Sequence, residues 1–231
     1  MMIDIIPLTD SMGAEVRGVD LSQAITPDVG SLLQDAWHEH VLLLFRDQTL
    51  SDNDLKASTG WLGAMSEITM PTDRRGDDDL SIALVSNILD EAGQPIGALG
   101  DGEMWFHHDN SFTPAPDKAT FLYAVELPSQ GGNTLFGNCY RAYEALPDTL
   151  RQQISGRRVL QVYDYTVREK PELSDLGNVP HCWQPAVVQH PVTGRCALYV
   201  DRLMSAAIEG LPADESDALL DQLFPHMEHA D

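Results

Sequence analysis

Basic residues are scarce in this chain: 14 Lys and Arg stand against 36 Asp and Glu, a formal net charge of −22. Such a surface repels phosphate backbones and anionic bilayers, so neither nucleic acid nor a membrane is an expected partner. Long apolar runs are missing too. Hydrophobic residues fill 43% of the 231 positions, yet no run approaches the roughly 20 residues of a bilayer-crossing helix. The opening Met1-Met2-Ile3-Asp4-Ile5-Ile6-Pro7 carries none of the basic residues that head a secretory leader, and a cytoplasmic protein is expected. Cysteine is limited to Cys139, Cys182 and Cys196, an odd number with no Cys-x-x-Cys spacing. That argues against a disulfide framework and a structural zinc site, leaving buried or bystander thiols. Gly-x-Ser-x-Gly, His-Glu-x-x-His and Gly-Lys-Ser/Thr are also absent, so little supports a hydrolase or a phosphate-cradling loop.

What is present suits one domain over 1–231 with a sizeable core. Ile3–Ile6 reads as a strand, and Thr26-Pro27 as a helix start in which a capping hydroxyl precedes a first-turn proline. Leu32, Leu33, Ala36 and Trp37 then share a helical face, and the uninterrupted Val41–Phe45 predicts a strand covered on both sides. Ser51-x-x-Asp54 has the form of a capping box. The polar Asp73–Asp79 predicts a loop, either a solvated connection or a lid, and Leu80–Val85 a strand. Thr120–Val125 and Thr134–Phe136 read as strands reversed by Gly131-Gly132. Helical turns follow at Tyr140–Leu146 and Thr149–Ile154, then strands at Val159–Tyr163, Ala186–Gln189 and Cys196–Val200. A closing helix from Asp214 lines up Leu219, Leu220, Leu223 and Phe224. Many short strands with a few helices predict a mainly β sandwich or barrel with flanking helices.

The stretch that carries chemistry is Glu103-Met104-Trp105-Phe106-His107-His108-Asp109-Asn110, which follows the glycines at 97, 100 and 102. In an extended segment alternate side chains share a side, which groups His107 with Asp109 and turns His108 away. An imidazole nitrogen and a carboxylate oxygen so placed supply two corners of the 2-His-1-carboxylate triad that holds non-haem Fe(II) with open positions for chemistry. By itself the spacing equally fits a solvated polar edge.

Six segments in order extend the pattern: Gly13–Leu21, Leu44–Gln48, Trp105–Phe112, Leu127–Thr134, Ala142–Pro147 and His190–Arg195. Together they make the chain resemble the taurine dioxygenase and 2,4-dichlorophenoxyacetate dioxygenase family of Fe(II)- and 2-oxoglutarate-dependent oxygenases. The resemblance implies a double-stranded β-helix (jelly-roll) and the cofactors Fe(II), 2-oxoglutarate and O2. It also implies a small organic substrate oxidised with release of succinate and CO2. His107 and Asp109 take the positions of the first two iron ligands, and Thr134 that of a hydroxyl donor to a 2-oxoglutarate carboxylate. The same Thr134 also suits a strand by β propensity alone.

The family's distal histidine and its 2-oxoglutarate-pairing arginine belong to a later strand, and the sequence stops at Asp231 before it. The expected roll is therefore incomplete at its C-terminal end, with an open sheet edge that association into a homo-oligomer would cover. His38, His40, His181, His190, His226 and His229 are expected in surface or packing roles. Phe106 stands where relatives often place Trp. Met70 and Asp73 fall where taurine enzymes present His and Tyr, which argues against a sulfonate. Asn87 and Gly97–Glu103 are expected to face substrate. The alternative is a catalytically inactive remnant of this fold serving as an acidic binding module.

Overall fold

The structure, a computed structural model, describes residues 2–66, 81–99, 104–163, 173, 176–177 and 179–228. The chain divides into two compact units, Met1–Glu103 with Phe121–Tyr123, and Met104–Thr120 with Ala124–Asp231.

In the first unit, β1 (Asp4–Pro7) pairs antiparallel with β2 (Ala14–Arg17), Ile5 opposite Val16. β2 continues through α1 (Pro27–His40) to β3 (Leu43–Leu44), which lies parallel to it. Thr26 caps α1 by accepting the Val29 N–H, and Pro27 spends its missing donor in the first turn. Helix α2 (Asp52–Ser58) starts with the predicted reciprocal box: Ser51 Oγ accepts from Asp54 N–H, and Asp54 Oδ2 accepts from Ser51 N–H at 2.9 Å. β4 (Val85–Ser86) and β5 (Ala98–Leu99) form a short parallel pair. Gly97 permits it, since a Cβ there would lie 2.9 Å from the Leu84 carbonyl oxygen.

The second unit is built on an antiparallel sheet with strand order β10-β6-β7: β6 is Arg158–Val162, β7 His181–Pro185 and β10 Ser205–Ile208. β8 (Val187–Gln189) and β9 (Cys196–Leu198) make a hairpin around the Pro191–Arg195 turn, where Gly194 takes φ +70°. Helices α3 (Cys139–Glu144), α4 (Asp148–Ile154) and α5 (Ala213–Glu228) supply Ala142, Ile154, Leu219, Leu223 and Phe224 to one core with Leu146, Val159 and Ile208. Burying each such side chain contributes about 1.5–3 kcal/mol. Alternation along β6 sends Leu160 and Val162 to a second, smaller cluster, and leaves Gln161 as a fully buried polar group on the Val159 side.

Several expectations need correction. Thr120–Val125 and Thr134–Phe136 are not strands: no ladder partner takes up their backbone groups among the described residues, and Val125 and Leu135 remain exposed. The two glycines between them do adopt the positive φ expected, Gly131 at +74° and Gly132 at +67°. The Val41–Phe45 strand shrinks to Leu43–Leu44, half-buried, because Val41 is consumed in capping α1 at φ 68°. Leu32 lies on the exposed side of α1, 38% accessible, while Leu33 and Ala36 are buried. His181 opens β7 and is exposed, in keeping with its expected surface role. Asp73–Asp79, Met70, Leu80, Gly100–Glu103 and His229 lie outside the described residues.

Candidate metal centre

The segment 104–108 belongs to no sheet, and the chain turns immediately after it, Asn110 adopting φ 54°. No strand forms here, yet the side chains still group as expected: His107 meets Asp109, and His108 meets Asp201 instead. His107 Nε2 and Asp109 Oδ1 approach to 3.2 Å on the solvent side, where Asp109 is 44% exposed. His108 turns the other way into the core.

Each ligand candidate is oriented by a different partner. The Trp105 carbonyl lies 2.9 Å from His107 Nδ1, and a carbonyl can only accept, so Nδ1 carries a proton and Nε2 is the nitrogen aimed at Asp109. Thr120 donates its hydroxyl to Asp109 Oδ2 at 2.6 Å, which leaves Oδ1 facing the imidazole. Burial acts to lower the His107 pKa, but the Asp109 hydrogen bond and the Trp105 carbonyl outweigh it and hold the pKa above its usual value. Asp109 moves below the usual carboxylate range through His107, against its own burial and with help from Thr120. Each group stabilises the ionised form of the other.

The turn behind the pair is stitched into the second unit by buried polar bonds. Gln184 of β7 donates to the carbonyls of Ser111 and Thr113, at 3.1 and 2.6 Å. Ser111 Oγ reaches Gln161 Oε1 of β6 at 3.5 Å, and Phe112 packs edge-on against Tyr163 with centroids 4.8 Å apart. His108 Nδ1 meets Asp201 Oδ2 at 3.0 Å, its Nε2 lies 3.4 Å from Cys139 Sγ, and its ring lies 4.5 Å from that of Tyr199.

These donors fit part of an iron site. Two cis donors on an octahedral ion with bonds of about 2.1 Å stand about 3 Å apart, close to the observed 3.2 Å. One neutral nitrogen and one carboxylate oxygen are the donor types that non-haem Fe(II) takes. Among the described residues no third His, Cys, Asp or Glu completes a cluster. Thr134 is exposed in the irregular segment before α3, and no hydrogen bond among the described residues ties it to the pair. The sequence reading missed Thr120, Asp201, Gln161 and Gln184. The first carries a plain hydroxyl signal too far downstream for a local motif to include.

Comparison with known proteins decides the class. The family profile "Taurine catabolism dioxygenase TauD, TfdA family" matches residues 4–231. The chain belongs to this family. Pentalenolactone F synthase from Streptomyces avermitilis is 35% identical over 93% of this chain and 76% of its own length. The (S)-phenoxypropionate/alpha-ketoglutarate-dioxygenase of Sphingobium herbicidovorans is 30% identical over 96% of this chain and 78% of its own. The solved structure of a taurine dioxygenase from Burkholderia xenovorans superposes with a TM-score of 0.77 at 26% identity, covering 98% of this chain and 73% of that one. The fold is thus of the TauD type, and TauD/TfdA proteins are Fe(II)- and 2-oxoglutarate-dependent dioxygenases that consume O2. The matched span includes the His107-x-Asp109 segment and all six segments of the sequence resemblance.

Proposed function

We propose that this chain is a dioxygenase that oxidises a small organic molecule, with His107 Nε2 and Asp109 Oδ1 holding Fe(II) and Thr134 binding a carboxylate of 2-oxoglutarate within a jelly-roll. The observation that carries the proposal is the convergence of an imidazole nitrogen and a carboxylate oxygen to 3.2 Å inside the family-matched segment. When bound, the iron supplies the oxidative decarboxylation of 2-oxoglutarate to succinate and CO2 that is coupled to substrate oxidation. The chain's own residues do the positioning. The Trp105 carbonyl holds the Nδ1 proton and so leaves Nε2 as the coordinating atom. Thr120 fixes the rotation of the Asp109 carboxylate, and the buried bonds from Gln184 and Gln161 keep the turn rigid. A hydroxyl at Thr134 offers a charge-assisted bond to an anionic cosubstrate. A small organic substrate is in keeping with relatives named for a phenoxypropionate and for pentalenolactone.

A second reading, a non-catalytic binding module, is favoured by one observation: only two donors come together among the described residues. Anaerobic Co(II) titration and 2-oxoglutarate consumption separate the two. The oxygenase reading expects stoichiometric Co(II) uptake by the native chain, lost in His107→Ala, and Fe(II)-dependent succinate release that stops in the same variant. A native chain that takes up no more Co(II) than His107→Ala would establish the binding-module reading instead.

A further inference from the structure

The histidine between the two ligand candidates is enclosed by residues distant in sequence. Its ring is bounded by Asp201 just beyond β9, Cys139 at the start of α3, and the ring of Tyr199 next to β9. Asp201 is completely buried and itself fixed: its Oδ1 accepts the Met204 N–H at 2.8 Å, and its own N–H donates to Ser205 Oγ at 3.0 Å. Ser205 in turn donates to Gln161 Oε1 at 3.3 Å, so the chain of bonds runs into the central strand β6. Tyr199 is held through its backbone, its carbonyl accepting from Gln161 Nε2 at 3.3 Å.

Side chains alternate along an extended backbone, so clamping one residue sets the direction of both its neighbours. We propose that His108 is a positioning residue for the metal centre: its burial between Asp201, Cys139 and Tyr199 aims His107 and Asp109 at one ion. The inference rests on the reading of that pair as iron ligands. Neither neighbour is fixed by its own local bond alone. The Trp105 carbonyl sets the His107 ring tautomer and Thr120 the Asp109 rotamer, while the direction of the Cα–Cβ bonds on either side is set by where residue 108 is pinned. A small residue at 108 would leave Asp201 without its imidazole, and would leave the segment 104–108, which has no sheet ladder, free to rotate. Precise ligand placement depends on such supporting contacts, whose loss typically weakens metal affinity by about 10- to 100-fold.

The test is anaerobic Co(II) titration of the full chain with the visible d–d spectrum as readout, and circular dichroism on the same samples. Variants are H107A, D201N, C139A, H108N and the double variant H108F/D201N, in which Phe fills the ring's space and Asn avoids stranding a buried charge. The expected result is a folded H108F/D201N with Co(II) affinity lower by about 10- to 100-fold and a shifted d–d band. D201N and H108N each keep a hydrogen bond between positions 108 and 201 and should stay much closer to the native affinity. Native affinity and spectrum in a folded H108F/D201N overturn the proposal. If that variant does not fold, C139A decides, since it removes one contact without a buried charge: an unchanged affinity and spectrum overturn the proposal, and a weaker site with a moved band supports it. H107A separates the two levels. Uptake that is equal in native chain and H107A removes the ligand reading itself, whereas loss in H107A with native behaviour in the position 108 variants removes only the role of His108.

Discussion

Thr120 and Asp109 are joined by a single 2.6 Å hydrogen bond, and its removal isolates what carboxylate orientation contributes. Thr120→Val keeps the shape and loses the hydroxyl. It should weaken Co(II) affinity about tenfold while changing unfolding free energy by no more than about 1 kcal/mol, measured by titration and by urea unfolding on one preparation. His108 contributes to the pH response. Burial alone would lower its pKa, but the Asp201 carboxylate, with Cys139, pushes it up to about 10 from the ordinary 6.5. The folded state therefore keeps a proton that the unfolded chain has released. Stability from this pair is complete below pH 6.5 and is lost as pH rises toward 10, so the unfolding free energy of the native chain should decline across that window. His108→Asn should flatten the decline. At this scale the meeting of His107 with Asp109 was legible because their spacing is local, whereas the partners of His108 lie 31 and 93 residues away and leave no local trace.

Among the elements, two helices were legible from their ends: Thr26-Pro27 and Ser51-x-x-Asp54 each mark a start that side-chain chemistry alone identifies. Strands were legible only where β-branched and apolar residues accumulate, as in Val159–Val162. The Ser205–Ile208 strand, Ser-Ala-Ala-Ile, carries no such signal and becomes a strand because β6 offers it a partner. The opposite error arose at Thr134–Phe136, whose composition favours a strand that finds no partner among the described residues. Close approach is a further property that composition hides. A Cβ on Gly137 would lie 2.6 Å from the Met227 carbonyl oxygen near the end of α5, and that neighbour is backbone with little room to yield. Gly137→Ala should cost about 1–3 kcal/mol, read as a lower urea midpoint with an unchanged slope.

For the whole molecule, 36 acidic against 14 basic residues place most of the surface under self-repulsion. Moving from about 0.01 M to 0.15 M salt shortens the screening length from about 30 Å to about 8 Å. The melting temperature should therefore rise with added NaCl, and a fall would indicate that the Arg158–Glu209 and Arg202–Glu228 pairs outweigh the net charge. Family membership was legible at this scale because six separated segments keep their order over the matched 4–231. The path from site to core is short: Asp109 is 44% exposed, while Ser111 and Phe112, just past the Asn110 turn, are buried. The proposed coordinating side chain thus hangs from the plug that seals the hydrophobic interior. Loosening of that interior by heat or by a distant cavity would be transmitted to the pair within three residues, so a colour change on bound cobalt would give an early warning of melting, ahead of any loss of helix signal.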